Sequence, residues 1–122
     1  MAYDEQLAQR IRLGLARHSA EFTSKDMMGG HLFLVDGKML CGIHIDKRYG
    51  DSLLMVRIGE ESYITELERP ECLPMDFTGR PMKGYIYVIP EGFARDKDLD
   101  HWIRLALAFN PRAQASRTKR RP

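Results

Sequence analysis

Cysteine is scarce in this sequence, with Cys41 and Cys72 the only two among 122 residues. Two thiols cannot build the disulfide framework that small secreted domains use to support a small core. We therefore expect both cysteines to be reduced and to serve as small buried apolar side chains.

Long apolar runs are missing too, since no stretch approaches the roughly 18 residues that a membrane-spanning helix needs. The first residues, Met1 to Glu5, are acidic. A secretory signal begins with basic residues that lead into an apolar segment, so none is predicted. We expect a cytoplasmic protein that has no membrane partner.

Residue spacings typical of metal sites or of nucleophilic catalysis are also lacking. Cys41 and His44 are three residues apart, but on a strand that offset points their side chains to opposite faces. Neither thiol has a base beside it in the sequence that would activate a nucleophile. We therefore predict no catalytic, cofactor-binding or metal-binding residue, and a protein that is not an enzyme.

Acidic residues are absent after Phe109, where five of the 19 basic residues lie. The preceding body therefore holds 14 basic residues against 17 acidic ones. We predict one folded domain over residues 1–109 and a basic, disordered tail over 110–122, which has no apolar anchors. The tail suggests weak nucleic-acid binding through its last four basic side chains, Arg117, Lys119, Arg120 and Arg121.

Apolar periodicity predicts three helices and five strands. The helices are expected over 4–18, over 60–68, and from Asp96 or Asp98, one of which would cap the helix, to Phe109. The strands are expected over 31–35, 39–45, 52–58, 73–77 and 84–89. Residues 21–30 are predicted as a connector, and Asp36-Gly37 as a hairpin turn.

These elements predict an α+β fold in which helices cover mainly one face of an antiparallel sheet. Alternation along the second strand places Leu40 and His44 on the face opposite Cys41. Together with Tyr85 or Tyr87, these side chains form the surface that we expect to contact a partner.

Three sequence blocks resemble the N-terminal domain of the TfoX/Sxy family of bacterial regulators associated with natural competence. They are Lys25–Phe33, Leu54–Gly59 and Met75–Val88, and the similarity extends through the helix around Trp102. The resemblance implies an α-β(3)-α-β(2)-α two-layer fold like that of secretion chaperones. It also implies a single-domain member that lacks the C-terminal domain of the competence regulators. Some relatives are labelled methyltransferases, but no Gly-rich loop for a methyl donor is found here.

The polar turn within Met75–Tyr85 is the leading candidate for a binding site. Its basic side chains would contact a phosphate or carboxylate, and its glycines would let a ligand approach the backbone. The alternative is a structural turn held by Asx-type hydrogen bonds. The candidate binding residues, including the glycine pair of the first block, are Asp76, Thr78, Gly79, Arg80, Lys83, Met28, Gly29 and Gly30.

The leading functional hypothesis is a small regulatory module that binds a protein partner or a second copy of itself, forming a homodimer. The alternative is weak nucleic-acid binding through the basic tail. A more remote alternative is a small enzyme with its site near Arg80 and Lys83.

Overall fold

The computed structural model describes residues 4–27, 30–46, 51–75 and 82–113. The helices are α1 (Glu5–Arg17), α2 (Gly59–Glu66) and α3 (Asp96–Phe109). The strands are β1 (Thr23–Met27), β2 (Gly30–Val35), β3 (Lys38–Asp46), β4 (Asp51–Arg57), β5 (Cys72–Pro74) and β6 (Tyr85–Val88). None of the helices in these ranges has the length and apolarity needed to cross a bilayer.

All six strands form one antiparallel sheet in the order β1-β2-β3-β4-β6-β5. The predicted α+β class and the order of the helices are confirmed. The strand count differs by one, because residues predicted as a connector form β1 along the edge of the sheet. The side chains of Thr23 to Asp26 are exposed, so β1 is held mainly by pairing with β2 and shows no apolar alternation.

The turn between β2 and β3 has the predicted hairpin conformation, with φ of +56° at Asp36 and +73° at Gly37. Near this turn, the register of the β2–β3 ladder shifts between Phe33, which pairs with Cys41, and Leu34, which pairs with Met39. Such an irregularity interrupts the alternation of side chains between the two faces. Leu40 is consequently buried with Cys41 in the core beneath the helices. The prediction that Leu40 lies on the opposite face is wrong.

The main core lies between the helices and one face of the sheet. α1 contributes Leu7, Ile11 and Leu15 to it, and α3 contributes Trp102 and Ile103. Alternate residues of β4 and β6 point to the other face, where a second apolar cluster forms without any helical residue. The helices therefore cover one face only, as predicted.

The ends of the helices are fixed in different ways. Asp4 caps α1 by accepting hydrogen bonds from the amides of Gln6 and Leu7. The N-cap of α3 is Arg95, and no side-chain hydrogen bond caps that helix. The prediction that Asp96 or Asp98 is the cap is therefore wrong, although both carboxylates lie in the first turn, where the helix dipole favours them.

Candidate functional site

The base of the predicted binding turn lies within the described residues. The amide of Met82 donates to the carbonyl of Met75 at 2.7 Å, so the residues on either side of positions 76–81 are joined by a hydrogen bond. Lys83, the residue after Met82, is exposed. Six of the predicted binding residues lie outside the described ranges: Met28, Gly29, Asp76, Thr78, Gly79 and Arg80.

Gly30, the remaining predicted residue, begins β2 and has a packing role. A Cβ atom at this position would overlap the carbonyl oxygen of Ile43 on β3. Glycine therefore allows two backbones to approach closely. Gly30 lines neither of the grooves described below, so the structure does not bring it together with Lys83.

Two glycines with positive φ meet where β4 ends and β6 begins. The carbonyl of Gly84 accepts hydrogen bonds from the amides of Ile58 at 2.8 Å and Gly59 at 3.1 Å. The φ angles are +88° at Gly59 and +94° at Gly84, a region that side chains with a Cβ disfavour. This crossing joins the start of α2 to the strand that follows Lys83.

The ring of Phe109 packs against this glycine crossing. A Cβ on Gly59 would lie 2.5 Å from Cδ1 of Phe109, which is far closer than carbon atoms can approach. Because Gly59 has no side chain, the end of α3 can lie directly against the start of α2. Residues distant in sequence are thereby brought to the same end of the sheet.

A groove of about 500 Å³ opens at this crossing. Its basic side chains are Arg57 at the end of β4, Lys83 before β6, and Arg112 beyond α3. Glu60 and Glu61, in the first turn of α2, also line the groove. We call this site the basic groove.

Aromatic rings hold the two guanidinium groups of the basic groove. The guanidinium carbon of Arg57 lies 5.3 Å from the ring centre of Tyr85 and 5.8 Å from that of Phe109. Arg112 lies 5.5 Å from the centre of Phe109. Cation–π contacts of this kind restrict both arginine side chains.

A second, larger groove of about 670 Å³ lies beside Trp102. The indole N–H of Trp102 donates to the carbonyl of Gly92 at 2.9 Å. Nearby, the carboxylate of Glu66 accepts from Nε of Arg69 at 2.5 Å and from Nε2 of His101 at 3.3 Å. Glu66 at the end of α2 is therefore bonded to Arg69 and to His101 of α3, which suits a structural role.

Burial makes the thiols poor nucleophiles. Desolvation raises the pKa of Cys41 to about 12. Burial, and secondarily the charge of Glu66, raises the pKa of Cys72 to about 12. Both thiols therefore stay protonated near neutral pH, and the thiolate is the form that attacks.

Sequence reasoning found Lys83 but missed its partners in the basic groove. Arg57 lies within the strand predicted over 52–58, and Arg112 within the predicted tail. Their positions differ from that of Lys83 by 26 and 29 residues, so no local motif joins them. The glycines at positions 59 and 84 are the sequence signal for the backbone crossing, since both have a positive φ in the structure.

Comparison with known proteins adds one match. The family model described as the TfoX N-terminal domain matches residues 14–110, which is most of the chain. No curated protein and no solved structure matches it significantly.

Proposed function

The chain belongs to the TfoX N-terminal domain family, and from this premise we propose that it acts as a regulatory module through protein–protein contacts. The family marks it as a competence-regulator-like module, and the family is not a known enzyme family. The protonated thiols support a non-catalytic role. A small enzyme with its active site near Arg80 and Lys83 remains the more remote alternative.

The observation that carries the proposal is the apolar cluster on the sheet face opposite the helices. We call this surface the methionine face. At its centre are the buried residues Leu53, Met55, Met75 and Tyr87. Around them lie partly exposed apolar side chains, namely Leu32, Met39, Leu73, Met82, Tyr85 and Ile89. Flexible methionine side chains adapt readily to an opposing surface.

A second copy of the chain is the partner that this surface fits best. The methionine face is apolar, with Arg57 over the ring of Tyr85 and His44 stacked on Tyr87 as polar neighbours. Its central side chains are already buried within one chain, so a second copy would contact the partly exposed apolar side chains around them. A two-fold contact of this kind uses the same patch on both subunits.

Sedimentation equilibrium of the full chain at increasing concentrations tests this proposal. We expect a dimer that Met39→Glu weakens strongly, because it would bury a charge in the contact. Ile64→Glu is the matched control, since Ile64 lies on α2 with 68% of its surface exposed. A parent protein that stays monomeric, or a dimer that tolerates Met39→Glu, would falsify self-association through this face.

A second candidate function, nucleic-acid binding, is favoured by the position of Arg112. This residue lines the basic groove and is also the first basic residue of the tail. The positive charge of the tail is thus continuous along the chain with a charged site on the folded body. Nucleic acids attract such arrays because each neutralised phosphate releases counterions.

Salt titration of oligonucleotide binding tests the second candidate. In the full chain, glutamine replaces all four basic residues of the tail beyond Arg112. We expect weaker binding and a slope of log affinity against log salt that is shallower by about 0.7 for each lost contact to a single strand. Parent protein that binds no oligonucleotide at low salt would eliminate this function.

A further inference from the structure

We propose that the methionine face is a site of reversible oxidation, at which a peroxide converts Met39 and Met82 to methionine sulfoxide and thereby dissociates the dimer. This regulation rests on the proposed self-association through the same face. The chain has seven methionines. All four whose side chains the structure describes lie in this one cluster. A contact surface so rich in thioether sulfur is sensitive to oxidants.

The four methionines differ in how far an oxidant dissolved in water can reach them. Met55 and Met75, at the centre of the cluster, are each 8% exposed. Met39 and Met82 lie around them and are partly exposed. Because a peroxide must contact the sulfur atom that it oxidises, we expect the two outer methionines to react first.

The two thiols compete poorly for the same oxidant. Cys41 and Cys72 are both buried, and burial raises the pKa of each thiol to about 12. The thiolate is the form that a peroxide oxidises, and it is scarce near neutral pH at such a pKa. A thioether has no proton to lose, so the methionines react without any ionisation.

The reaction transfers one oxygen atom. A lone pair on the thioether sulfur attacks one oxygen of hydrogen peroxide, so that an S–O bond forms while the O–O bond breaks. The sulfur gives up two electrons, which leave with the second oxygen as hydroxide. The proton on the transferred oxygen passes to this hydroxide, and the products are methionine sulfoxide and water.

The sulfoxide weakens the contact because it places a polar oxygen where the thioether was apolar. In the dimer this oxygen would lie against the apolar side chains of the opposing methionine face, which have no N–H or O–H group at their aliphatic positions. A polar atom buried without a donor is costly. Since a two-fold contact contains each residue twice, we expect the dissociation constant of the dimer to rise roughly tenfold or more.

Treatment of the full chain with dilute hydrogen peroxide, followed by peptide mass spectrometry and sedimentation, tests the proposal. Oxygen should be added to Met39 and Met82 before Met55 and Met75, and the dimer should dissociate as the first two are modified. Far-UV circular dichroism should not change, because the helices pack on the other face of the sheet. Methionine sulfoxide reductases for both sulfoxide epimers, supplied with a dithiol, should restore the dimer.

The matched control is the double variant Met39→Leu, Met82→Leu. Leucine is apolar and close to methionine in volume, so this variant should form the dimer and keep it after peroxide treatment. It retains the other five of the seven methionines and both cysteines, so oxidation elsewhere in the chain is matched. Met39→Gln, which is polar without any oxidation, should weaken the dimer in untreated protein.

The outcomes separate the regulation from the self-association on which it rests. If the untreated parent is monomeric, self-association fails and the regulation fails with it. If the parent dimerises and the dimer persists after Met39 and Met82 are oxidised, self-association stands and the regulation is overturned. The regulation is also overturned if the double leucine variant loses its dimer to the same extent, or if dissociation accompanies a loss of helical dichroism.

Discussion

Leu40 shows how one irregularity in a ladder changes the role of a residue. Its side chain is 1% exposed and packs in the core with Cys41. Leu40→Ala should therefore lower the free energy of unfolding by about 2–5 kcal/mol, because it removes buried methyl groups and leaves a cavity. Chemical denaturation measures this loss.

Leu13 provides the comparison for Leu40. It lies on α1 with 50% of its surface exposed, so Leu13→Ala should change the free energy of unfolding by no more than about 0.5 kcal/mol. Equal effects of the two substitutions would show that Leu40 is not a core residue.

Asp100 is expected to make stability depend on acid pH. Nε2 of His18 donates to its carboxylate at 2.7 Å, and Nε of Arg104 donates at 2.9 Å. The hydrogen bond from His18, with a further contribution from Arg104, lowers the pKa of Asp100 below its ordinary value of 3.8. A carboxyl group with a lowered pKa stabilises the fold above its ordinary pKa, and this stabilisation disappears as the pH falls through the lowered value.

Asp100→Asn tests this dependence by removing the charge while keeping the shape. Above pH 3.8 the parent should be the more stable protein, by about 1 kcal/mol or less since the group is partly exposed. The difference should shrink as the pH falls below that value. Urea unfolding of both proteins over a pH series measures it, and a gap that stays constant into acid would contradict the assignment.

At the scale of elements, Gly59 lets the start of α2 pack against Phe109 at the end of α3. Gly59→Ala combines a strained positive φ with an overlap against the ring of Phe109. Gly37→Ala has a similarly positive φ but meets no atom within 4 Å. We expect the Gly37 substitution to cost about 1 kcal/mol from strain alone, and the Gly59 substitution to cost a further 1–3 kcal/mol, roughly, from overpacking.

Thermal unfolding of the two glycine variants measures this difference. Since the Gly59 variant also displaces Phe109, the resonances of the Tyr85 and Phe109 rings should shift in it and not in the Gly37 variant. If both variants lose the same stability, Phe109 does not pack against Gly59 as the structure shows.

The same elements show which features of the fold local sequence could predict. The β2–β3 hairpin follows from Asp36-Gly37, since few residue pairs accept two consecutive positive φ angles. The helices α1 and α3 follow from apolar stripes at helical spacing. β1 could not be predicted, because Thr23 to Asp26 are exposed and polar and gain their strand conformation from pairing with β2.

At the scale of the whole molecule, the basic groove could not be predicted because its parts come together only after folding. Arg57 arrives with β4, Lys83 precedes β6, and Arg112 follows α3. The local density of glycine and basic residues in the sequence predicts Lys83 as a binding residue. The contacts of Tyr85 and Phe109 with the arginines likewise form only in the folded chain.

Asn110, which follows α3, anchors the end of this helix to the β2–β3 hairpin. Nδ2 of this buried side chain donates to the carbonyl of Val35 at 3.2 Å, and Nζ of Lys38 donates to the carbonyl of Asn110 at 2.9 Å. The β2–β3 hairpin thereby holds the short 3₁₀ turn Asn110–Arg112, and so fixes the place where Arg112 enters the basic groove.

Asn110→Ala should lower the free energy of unfolding by about 1–3 kcal/mol, because it leaves the partly buried carbonyl of Val35 without this donor. Asn110→Asp keeps the shape but sets a carboxylate oxygen against the carbonyl of Val35, so it should cost more than alanine does. Chemical denaturation ranks the three proteins, and amide hydrogen exchange should show faster opening near Arg112 in both variants. If the aspartate variant is as stable as the parent, donation by Asn110 does not anchor this end of the chain, and Arg112 must be positioned by Phe109 alone.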